Sequence, residues 1–276
     1  MYKYLLIAIT LCFAFFSSGC EEEISGVSLP YEELLVINCM PTVGEPHIII
    51  DITRTLPPLE DYDRSKAYVN DAVVTMEVNG VEYTAGSGTE GLYAIPYSVK
   101  SGDKIKLNVK WKNKTAYAST IVPEVPVIDS LNYRVEEQNE WGYYQKYLIV
   151  YAYLQAKHPE VCYQGMYGHS TYDYYDEDYS NIANYESRNS KGTVRVRTMS
   201  YMIWDNYPNI SEIIDNYVYS VDAYDNQYYP FAKTYYKSYY GGDMFESNGT
   251  NPIWNIKGDG IGLFVARAKS IQLKLE

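Results

Sequence analysis

The amino-acid sequence predicts a mainly β protein, in which an N-terminal immunoglobulin-like β-sandwich precedes a second β-rich half with one or two short helices. Two observations lead to this fold class. The segment 105–111 alternates apolar residues with lysine or asparagine, as a strand with one buried and one solvated face does. Short β-rich runs recur between turn residues, and about seven runs in roughly 90 residues are typical of an immunoglobulin-like sandwich.

The strands of the first half are predicted from apolar and β-branched runs that end at turn residues. They occupy 34–39, 46–53, 72–78, 81–84, 92–95, 105–111 and 115–122. Asn79-Gly80 separates two of them and is the strongest short-range signal for a hairpin turn. The charged segment 59–70 is predicted to be a loop. Pro123 and Pro126 end the unit, which places the sandwich at 32–126 and a C-terminal domain at 127–276.

The C-terminal domain is predicted to contain strands at 128–134, 145–155, 193–199, 217–221 and 269–275. Segment 145–155 is apolar on both faces, which is typical of a central strand. The tyrosine-rich segment at about 158–190 has neither helical nor strand periodicity and is predicted to be a long loop or insertion.

A helix is predicted to begin near Asp222 and to run to about residue 239, although Pro230 argues against an unbroken helix unless it starts a second one. Aromatic residues then recur at helical spacing. This stripe indicates core packing more than a ligand site, and it consists of Tyr224, Tyr228, Phe231, Tyr235 and Tyr239.

The first 20 residues predict a lipoprotein signal peptide. Lys3 precedes an apolar run, Tyr4–Phe16, that is too short to span a bilayer but fits a secretory signal. Ser-Ser-Gly before Cys20 resembles a bacterial lipobox, so Cys20 is the predicted lipid-attachment residue; the alternative is a plain signal peptide with an accidental cysteine. Lipid chains would then hold the protein on a membrane without a transmembrane helix.

Residues 21–31 are predicted to form a flexible tether between the lipid and the fold. Glu21, Glu22 and Glu23 resemble the surface-export signal of lipoproteins from the Bacteroidota, although charge runs are commonly just solvated linkers. The expected location is the outer membrane, with the protein lipid-anchored and facing the cell exterior.

The composition excludes some partners. The formal net charge of −12 argues against nucleic acid and anionic headgroups, because both need a positive protein face. The 33 tyrosines exceed the 6 phenylalanines and 4 tryptophans, and tyrosine suits half-exposed strands and binding surfaces alike. Cys39 and Cys162 remain after Cys12 is cleaved off and Cys20 is acylated, and they are either a disulfide or two buried thiols.

No catalytic motif is present in the sequence. It contains neither GxSxG nor HExxH, and its three histidines, at positions 47, 158 and 169, lie far apart. We therefore expect neither enzymatic activity nor a cofactor.

The candidate contact residues lie in the tyrosine-rich segment. Four tyrosines are predicted to contact a ligand or partner: Tyr172, Tyr174, Tyr175 and Tyr179. Four acidic residues offer oxygens for a weak calcium site, although EF-hand spacing is lacking and a solvated loop is the alternative: Asp173, Asp176, Glu177 and Asp178. Asp129-Ser130-Leu131 also matches a short O-glycosylation motif of exported Bacteroidota proteins, with Ser130 as the acceptor.

These motifs together resemble an uncharacterised family of Bacteroidota outer-membrane lipoproteins known as domain of unknown function 4249. Besides the Cys20 lipobox, the resemblance rests on 34–41, 52–55, 72–76, 91–93, 102, 107–109, 117–123, 126–129 and 255–264. Asp259 stands in the last segment where the family usually has glycine, which we expect to loosen that turn. The glycines around it do not indicate a nucleotide-binding loop, because no strand-loop-helix context surrounds them. They are predicted instead to adopt positive φ in backbone turns that pack the last strands against the rest of the fold. The resemblance implies two β-rich halves and companionship with a TonB-dependent outer-membrane transporter.

Two functions follow as hypotheses. The first is an accessory surface lipoprotein that docks on a transporter barrel and captures a nutrient, with sugars and peptides equally suited to its aromatic faces. The second is an adhesive or structural surface lipoprotein without a transport role. Co-purification with a β-barrel would distinguish them.

Overall fold

A computed structural model of the protein describes residues 31–58, 63–86, 88–140, 143–169, 175–177, 182–184, 187–203, 209–240 and 251–275. Residues 33–56 and 62–276 form one compact unit. A second unit comprises 1–32 and 57–61, of which only 31, 32, 57 and 58 are described.

The prediction of a mainly β protein is confirmed, with 55% of the residues in strands and 9% in helices. The strands are β1 Leu35–Cys39, β2 Ile48–Arg54, β3 Val73–Val78, β4 Val81–Thr84, β5 Leu92–Ile95, β6 Lys104–Trp111, β7 Lys114–Ile121, β8 Ile128–Glu140, β9 Tyr143–Gln155, β10 Val161–His169, β11 Tyr175–Glu177, β12 Ala183–Asn184, β13 Thr193–Ile203, β14 Tyr217–Asp225, β15 Lys257–Gly258, β16 Gly260–Phe264 and β17 Arg267–Lys269. Three short helices are described, at Arg64–Ala67, Ile210–Asp215 and Tyr228–Tyr240.

The N-terminal half is a sandwich of two sheets with one shared core. One sheet has the order β16-β1-β2-β5 and the other the order β15-β7-β6-β3-β4. Ile37 and Ile50 of the first sheet belong to the same buried cluster as Val74, Leu107 and Val109 of the second. The alternation predicted for 105–111 is confirmed, because Ile105, Leu107, Val109 and Trp111 are buried and the residues between them point outward.

Two strands of this sandwich come from the C-terminal part of the chain. β15 pairs with β7, and β16 then pairs in parallel with β1, so residues 257–264 cross from one sheet to the other. Gly258 and Gly262 have φ of +86° and +121°, and a Cβ atom on Gly262 would lie 2.0 Å from the Ile37 carbonyl oxygen. The predicted role of these glycines in backbone turns is thereby confirmed. Asp259 accepts a hydrogen bond from the Thr115 amide at 2.9 Å, which ties this turn rather than loosening it.

The C-terminal half contains two further sheets, with orders β13-β9-β8 and β11-β10-β14-β17, and β12 also pairs with β10. They share core residues, since Ala152 and Val196 of the first sheet cluster with Val221 and Ala223 of the second. Gly165 in β10 allows their close approach, because a Cβ atom there would lie 2.1 Å from the Arg197 carbonyl oxygen. Position 165 therefore requires glycine.

Four sequence predictions need correction. Val161–His169, predicted as loop, is a largely buried strand whose faces are both covered, so its sequence lacks the alternation of a half-exposed strand. Asp222 lies in β14 and does not begin a helix. The helix begins at Tyr228, so Pro230 lies in its first turn, where proline is tolerated. The strand predicted for 269–275 is replaced by the short β17 and an isolated bridge between Tyr219 and Leu273. The loop predicted for 59–70 contains the helix Arg64–Ala67.

No helix among the described residues combines the length and hydrophobicity needed to cross a membrane.

Candidate functional site

The candidate site is a groove over the solvent-facing side of the β15-β7-β6-β3-β4 sheet. Strand pairing aligns four outward residues in one row across four strands. Thr75 pairs with Asn108, Asn108 with Tyr117, and Tyr117 with Lys257. Because neighbouring strands lie about 4.8 Å apart, this row spans roughly 14 Å. A ligand lying across the strands would meet these four side chains in turn.

A second row runs beside the first. Glu82 pairs with Glu77, Glu77 with Lys106, and Lys106 with Ser119. Lys106 Nζ lies 2.8 Å from Glu77 Oε1, with 65% and 42% of the two side chains exposed. An ion pair this exposed contributes about 0–1 kcal/mol to stability, so a ligand can compete for its partners at little cost.

The rim of the groove is held by two amide side chains. Gln227 donates from Nε2 to the Ser119 carbonyl oxygen at 2.9 Å. Asn255 donates to the Phe264 carbonyl oxygen at 2.7 Å and accepts from the Phe264 amide at 2.8 Å. Both amides are thereby fixed by the fold, so they shape the groove rather than offering free donors.

The groove has a volume of about 410 Å³. It adjoins a second depression of about 680 Å³, and the two share Lys106, Ser119 and Gln227 along their walls. The second depression continues toward Glu160 and Asn226 in the C-terminal half. Together they form an extended, open surface that suits an elongated ligand better than a small enclosed one.

The chemistry of the groove is polar and electrically balanced. Lys106 and Lys257 supply two positive charges, and Glu77 and Glu82 supply two negative ones. Tyr117 is 50% exposed and presents a ring face. Among the described residues, no hydrogen-bond or ion-pair partner is found for the side chains of Asn108, Tyr117 and Lys257. An aromatic face beside free hydroxyl, amide and ammonium groups can bind a neutral ligand with many hydroxyl groups.

The structure does not describe most of the residues that the sequence analysis selected. Cys20, Glu21, Glu22 and Glu23 lie outside the described residues, as do Tyr172, Tyr174, Tyr179, Asp173 and Asp178. Tyr175, Asp176 and Glu177 are described only as the backbone of β11, which pairs with β10. Their roles in ligand contact or calcium binding stay predictions. Within the described part of the chain, no group of three or more His, Cys, Asp or Glu residues could hold a metal ion.

Ser130 is exposed near the start of β8, beside Asp129. This position leaves it accessible, and its glycosylation stays a prediction.

Cys39 and Cys162 are free and buried. Burial raises the pKa of both the Cys39 and the Cys162 thiol above the ordinary range. Cys162 Sγ also contacts the Asp225 carbonyl oxygen at 3.9 Å. Of the two alternatives, the structure therefore shows buried thiols that behave as small apolar residues.

Three members of the aromatic stripe lie in or against the core, namely Tyr224, Tyr228 and Phe231. Tyr224 stacks on Tyr228 with 4.1 Å between ring centroids, and Phe231 stacks on Tyr235 at 5.3 Å. Tyr224 and Tyr228 are 1% and 3% exposed, which supports packing rather than ligand contact. The side chain of Tyr239 is not among those described.

Sequence reasoning missed the groove itself. One signal was available, because the alternation in 115–122 puts Tyr117 and Ser119 on the face opposite the buried Ala116 and Ala118. The contribution of Lys257 could not be predicted, since it depends on β15 pairing with a strand 140 residues earlier in the chain.

Residues 21–272 match the family model described as Domain of unknown function (DUF4249). A search of curated proteins finds no match to this chain.

Proposed function

The chain belongs to this family of unknown function, and we propose that it is a surface-exposed, outer-membrane accessory lipoprotein that partners a TonB-dependent transporter in nutrient capture. The observation that carries the proposal is the open polar groove around Tyr117. An accessory protein for capture needs an accessible binding face and no catalytic group, and the groove supplies such a face.

The N-terminal sequence supports the membrane location. A short apolar run followed by Ser-Ser-Gly-Cys20 matches the requirements for cleavage and lipid attachment, and three glutamates follow immediately. A lipid-anchored protein on the outer face meets nutrients before the transporter does. Docking to a barrel then raises the local concentration of captured ligand at the transporter entrance.

The balance of charge in the groove supports a neutral ligand. A phosphorylated or strongly acidic ligand would meet Glu77 and Glu82 as well as the lysines, and a basic ligand would meet Lys106 and Lys257. A neutral oligosaccharide can stack one ring on Tyr117 and hydrogen-bond to Asn108 and Lys257 on either side. Ligand capture in this groove is therefore the specific form of the proposal.

The partner is tested by purification from the native host. A C-terminally tagged chain is extracted from membranes in mild detergent, and co-purifying proteins are identified by mass spectrometry. A stoichiometric TonB-dependent barrel is the expected result. Recovery of the chain without a barrel, together with protease accessibility on intact cells, would instead support the adhesive or structural alternative.

The groove is tested with two matched tyrosine variants. Tyr117→Ala is expected to weaken binding to maltohexaose, cellohexaose or xylohexaose, whichever the native protein binds, by about two- to tenfold, because one stacking contact contributes about 0.5–1.5 kcal/mol. Tyr144→Ala is the control, since Tyr144 is 77% exposed but lies on β9, away from the groove. Equal binding by both variants would exclude the groove as the capture site.

A further inference from the structure

β8 forms a long edge strand. It extends over 13 residues, Ile128–Glu140, and therefore over about 40 Å. It is the outer strand of the β13-β9-β8 sheet and pairs with β9 along one side. Its other side has no strand partner among the residues that the structure describes. Within the described part of the chain, the outer backbone N–H and C=O groups of this strand therefore have no strand to pair with.

Few features protect this edge. The only register shift in its pairing with β9 lies between Ile128 and Ser130, so the strand is regular from Ser130 to Glu140. That stretch contains neither proline nor glycine. Tyr133 and Val135 are 50% and 42% exposed. Edge strands of monomers usually carry bulges, prolines, charged side chains or a covering segment that prevent pairing with another chain, and of the first three β8 carries only charges between Ser130 and Glu140.

The charges on β8 are arranged so that the strand complements itself. When two copies of an edge strand pair antiparallel about a two-fold axis perpendicular to the sheet, each residue faces one from the same side of the sheet. If the axis passes between the two copies of Val135, Arg134 of each copy lies opposite Glu136 of the other. Tyr133 then faces Glu137, and no like charges are opposed along the strand.

Neighbouring registers lack this complementarity. If the two-fold axis moves by one residue to position 134, Arg134 lies opposite its own copy. If it moves to position 136, Glu136 lies opposite its own copy. Like charges directly opposite one another destabilise an antiparallel pair. The charge pattern thus favours one register over its neighbours.

Arg134 is already positioned for this arrangement. Its Nη2 atom donates to the Tyr151 hydroxyl at 2.8 Å, and its guanidinium lies 4.9 Å from the centre of that ring. It also forms an ion pair with Glu136 of its own strand. The side chain is held on the same face as Glu136, so a second Glu136 from a paired copy can contact it with little loss of side-chain entropy.

From these observations we propose that two copies of the chain pair through β8, antiparallel about Val135, and join their three-stranded sheets into one six-stranded sheet. The occupant of the edge is a second copy because β8 is complementary in charge to itself. This proposal does not depend on the function proposed above.

Cysteine cross-linking tests the register. Opposed residues of an antiparallel pair have Cβ atoms about 4.5–5.5 Å apart, so Val135→Cys should form an intermolecular disulfide under mild oxidation of the full-length protein in native membranes. Tyr133→Cys is the control: it is similarly exposed, but in the proposed register its two copies lie roughly 13 Å apart. Efficient cross-linking of Val135→Cys alone is the expected result. Failure of Val135→Cys, equal cross-linking of both variants, or a cross-link to a different protein would overturn the proposal.

A charge exchange tests the pairing independently. Arg134→Glu and Glu136→Arg should each weaken dimerisation by about tenfold or more, because each replaces two attractive contacts by two repulsive ones. The double variant should restore the dimer, because the acidic side chain then at position 134 of each copy would lie opposite the basic side chain at position 136 of the other. Loss of the dimer in the double variant would contradict the proposed register.

Arg195→Glu is the matched control for this exchange. Arg195 also lies over the Tyr151 ring, at 4.6 Å, but it belongs to β13, on the far side of the sheet from the free edge. Dimer formation measured by light scattering in detergent should therefore be unchanged in this variant. If Arg195→Glu weakened the dimer as much as Arg134→Glu, the effect would come from Tyr151 rather than from the edge, and the proposal would be overturned.

Discussion

Replacing Asp225 by alanine should lower the free energy of unfolding by about 1–3 kcal/mol, because the buried Thr120 hydroxyl would lose its acceptor. Asp225 is 7% exposed and lies at the end of β14. Its Oδ2 atom accepts from the Thr120 hydroxyl at 2.9 Å and from the Ile121 amide at 2.8 Å, both in β7. Its Oδ1 atom accepts from the Gln227 amide at 3.0 Å. This one carboxylate therefore connects the N-terminal sandwich to the C-terminal half.

The magnitude follows from the environment of each donor. A buried donor left without an acceptor costs about 1–3 kcal/mol, and Thr120 is such a donor, whereas Ile121 is 41% exposed and contributes less. Gln227 is exposed, so water can replace the carboxylate there. Thr120 Oγ1 also accepts from the Ala266 amide at 2.9 Å, so a displaced hydroxyl would disturb a second contact between the two halves.

The assay is urea-induced unfolding of the purified protein, followed by tryptophan fluorescence. Asp129→Ala is the control, since Asp129 is exposed and accepts one bond from Gln155 at 3.2 Å; we expect a change within about 0.5 kcal/mol. Asp225→Asn keeps one carbonyl acceptor and should be intermediate. If Asp225→Ala unfolded within about 0.5 kcal/mol of the control, the carboxylate would not stabilise the junction, and the reasoning would be refuted.

Three further predictions address other parts of the fold. Gly262→Ala should destabilise the protein by more than about 3 kcal/mol in urea unfolding, because its Cβ atom would lie 2.0 Å from a carbonyl oxygen of the neighbouring strand. Gly44→Ala is the control: Gly44 has a φ of +89° but open space around it, so this change should cost only about 1–2 kcal/mol. Cys39 and Cys162 should react with a thiol reagent only after unfolding, and rapid labelling of the native protein would contradict their burial. Burial and a hydrogen bond to a neighbouring carboxylate raise the pKa of Tyr97 from 10.0 to about 12, so its contribution to stability is complete below pH 10 and is lost as the pH rises toward 12. The difference in alkaline unfolding between the native protein and Tyr97→Phe measures that contribution, and identical profiles would contradict it.

Local signals in the sequence predicted the N-terminal strands well. Asn79 and Gly80 adopt φ of +52° and +87°, as a two-residue hairpin turn requires, and they connect β3 to β4. Half-exposed strands such as β6 are visible in the sequence because one face is apolar and the other is polar. Turn chemistry and alternation act over a few residues, so a single sequence is sufficient to recognise them.

The same reasoning failed where both faces of an element are buried. β10 contains tyrosine, glutamine and glycine without alternation, because both of its faces are buried. One face packs on the β13-β9-β8 sheet. The other face places Cys162 and Gln164 in a separate core near the helix Tyr228–Tyr240. The start of that helix was also misplaced, since Asp222 pairs with Gln164 in a strand and does not cap a helix. Tertiary contacts overrode local propensity at both positions.

The sequence by itself determined the β class, the hairpins, the glycine-dependent turns near the C-terminus and the family. Only the tertiary structure decided which polar side chains meet. Tyr117 and Lys257 become neighbours through the pairing of β15 with β7, and Asp225 reaches Thr120 from more than 100 positions away. The physical reason is that strand pairing joins backbone groups irrespective of their separation along the chain, so the groove and the free edge of β8 arise from sheet order.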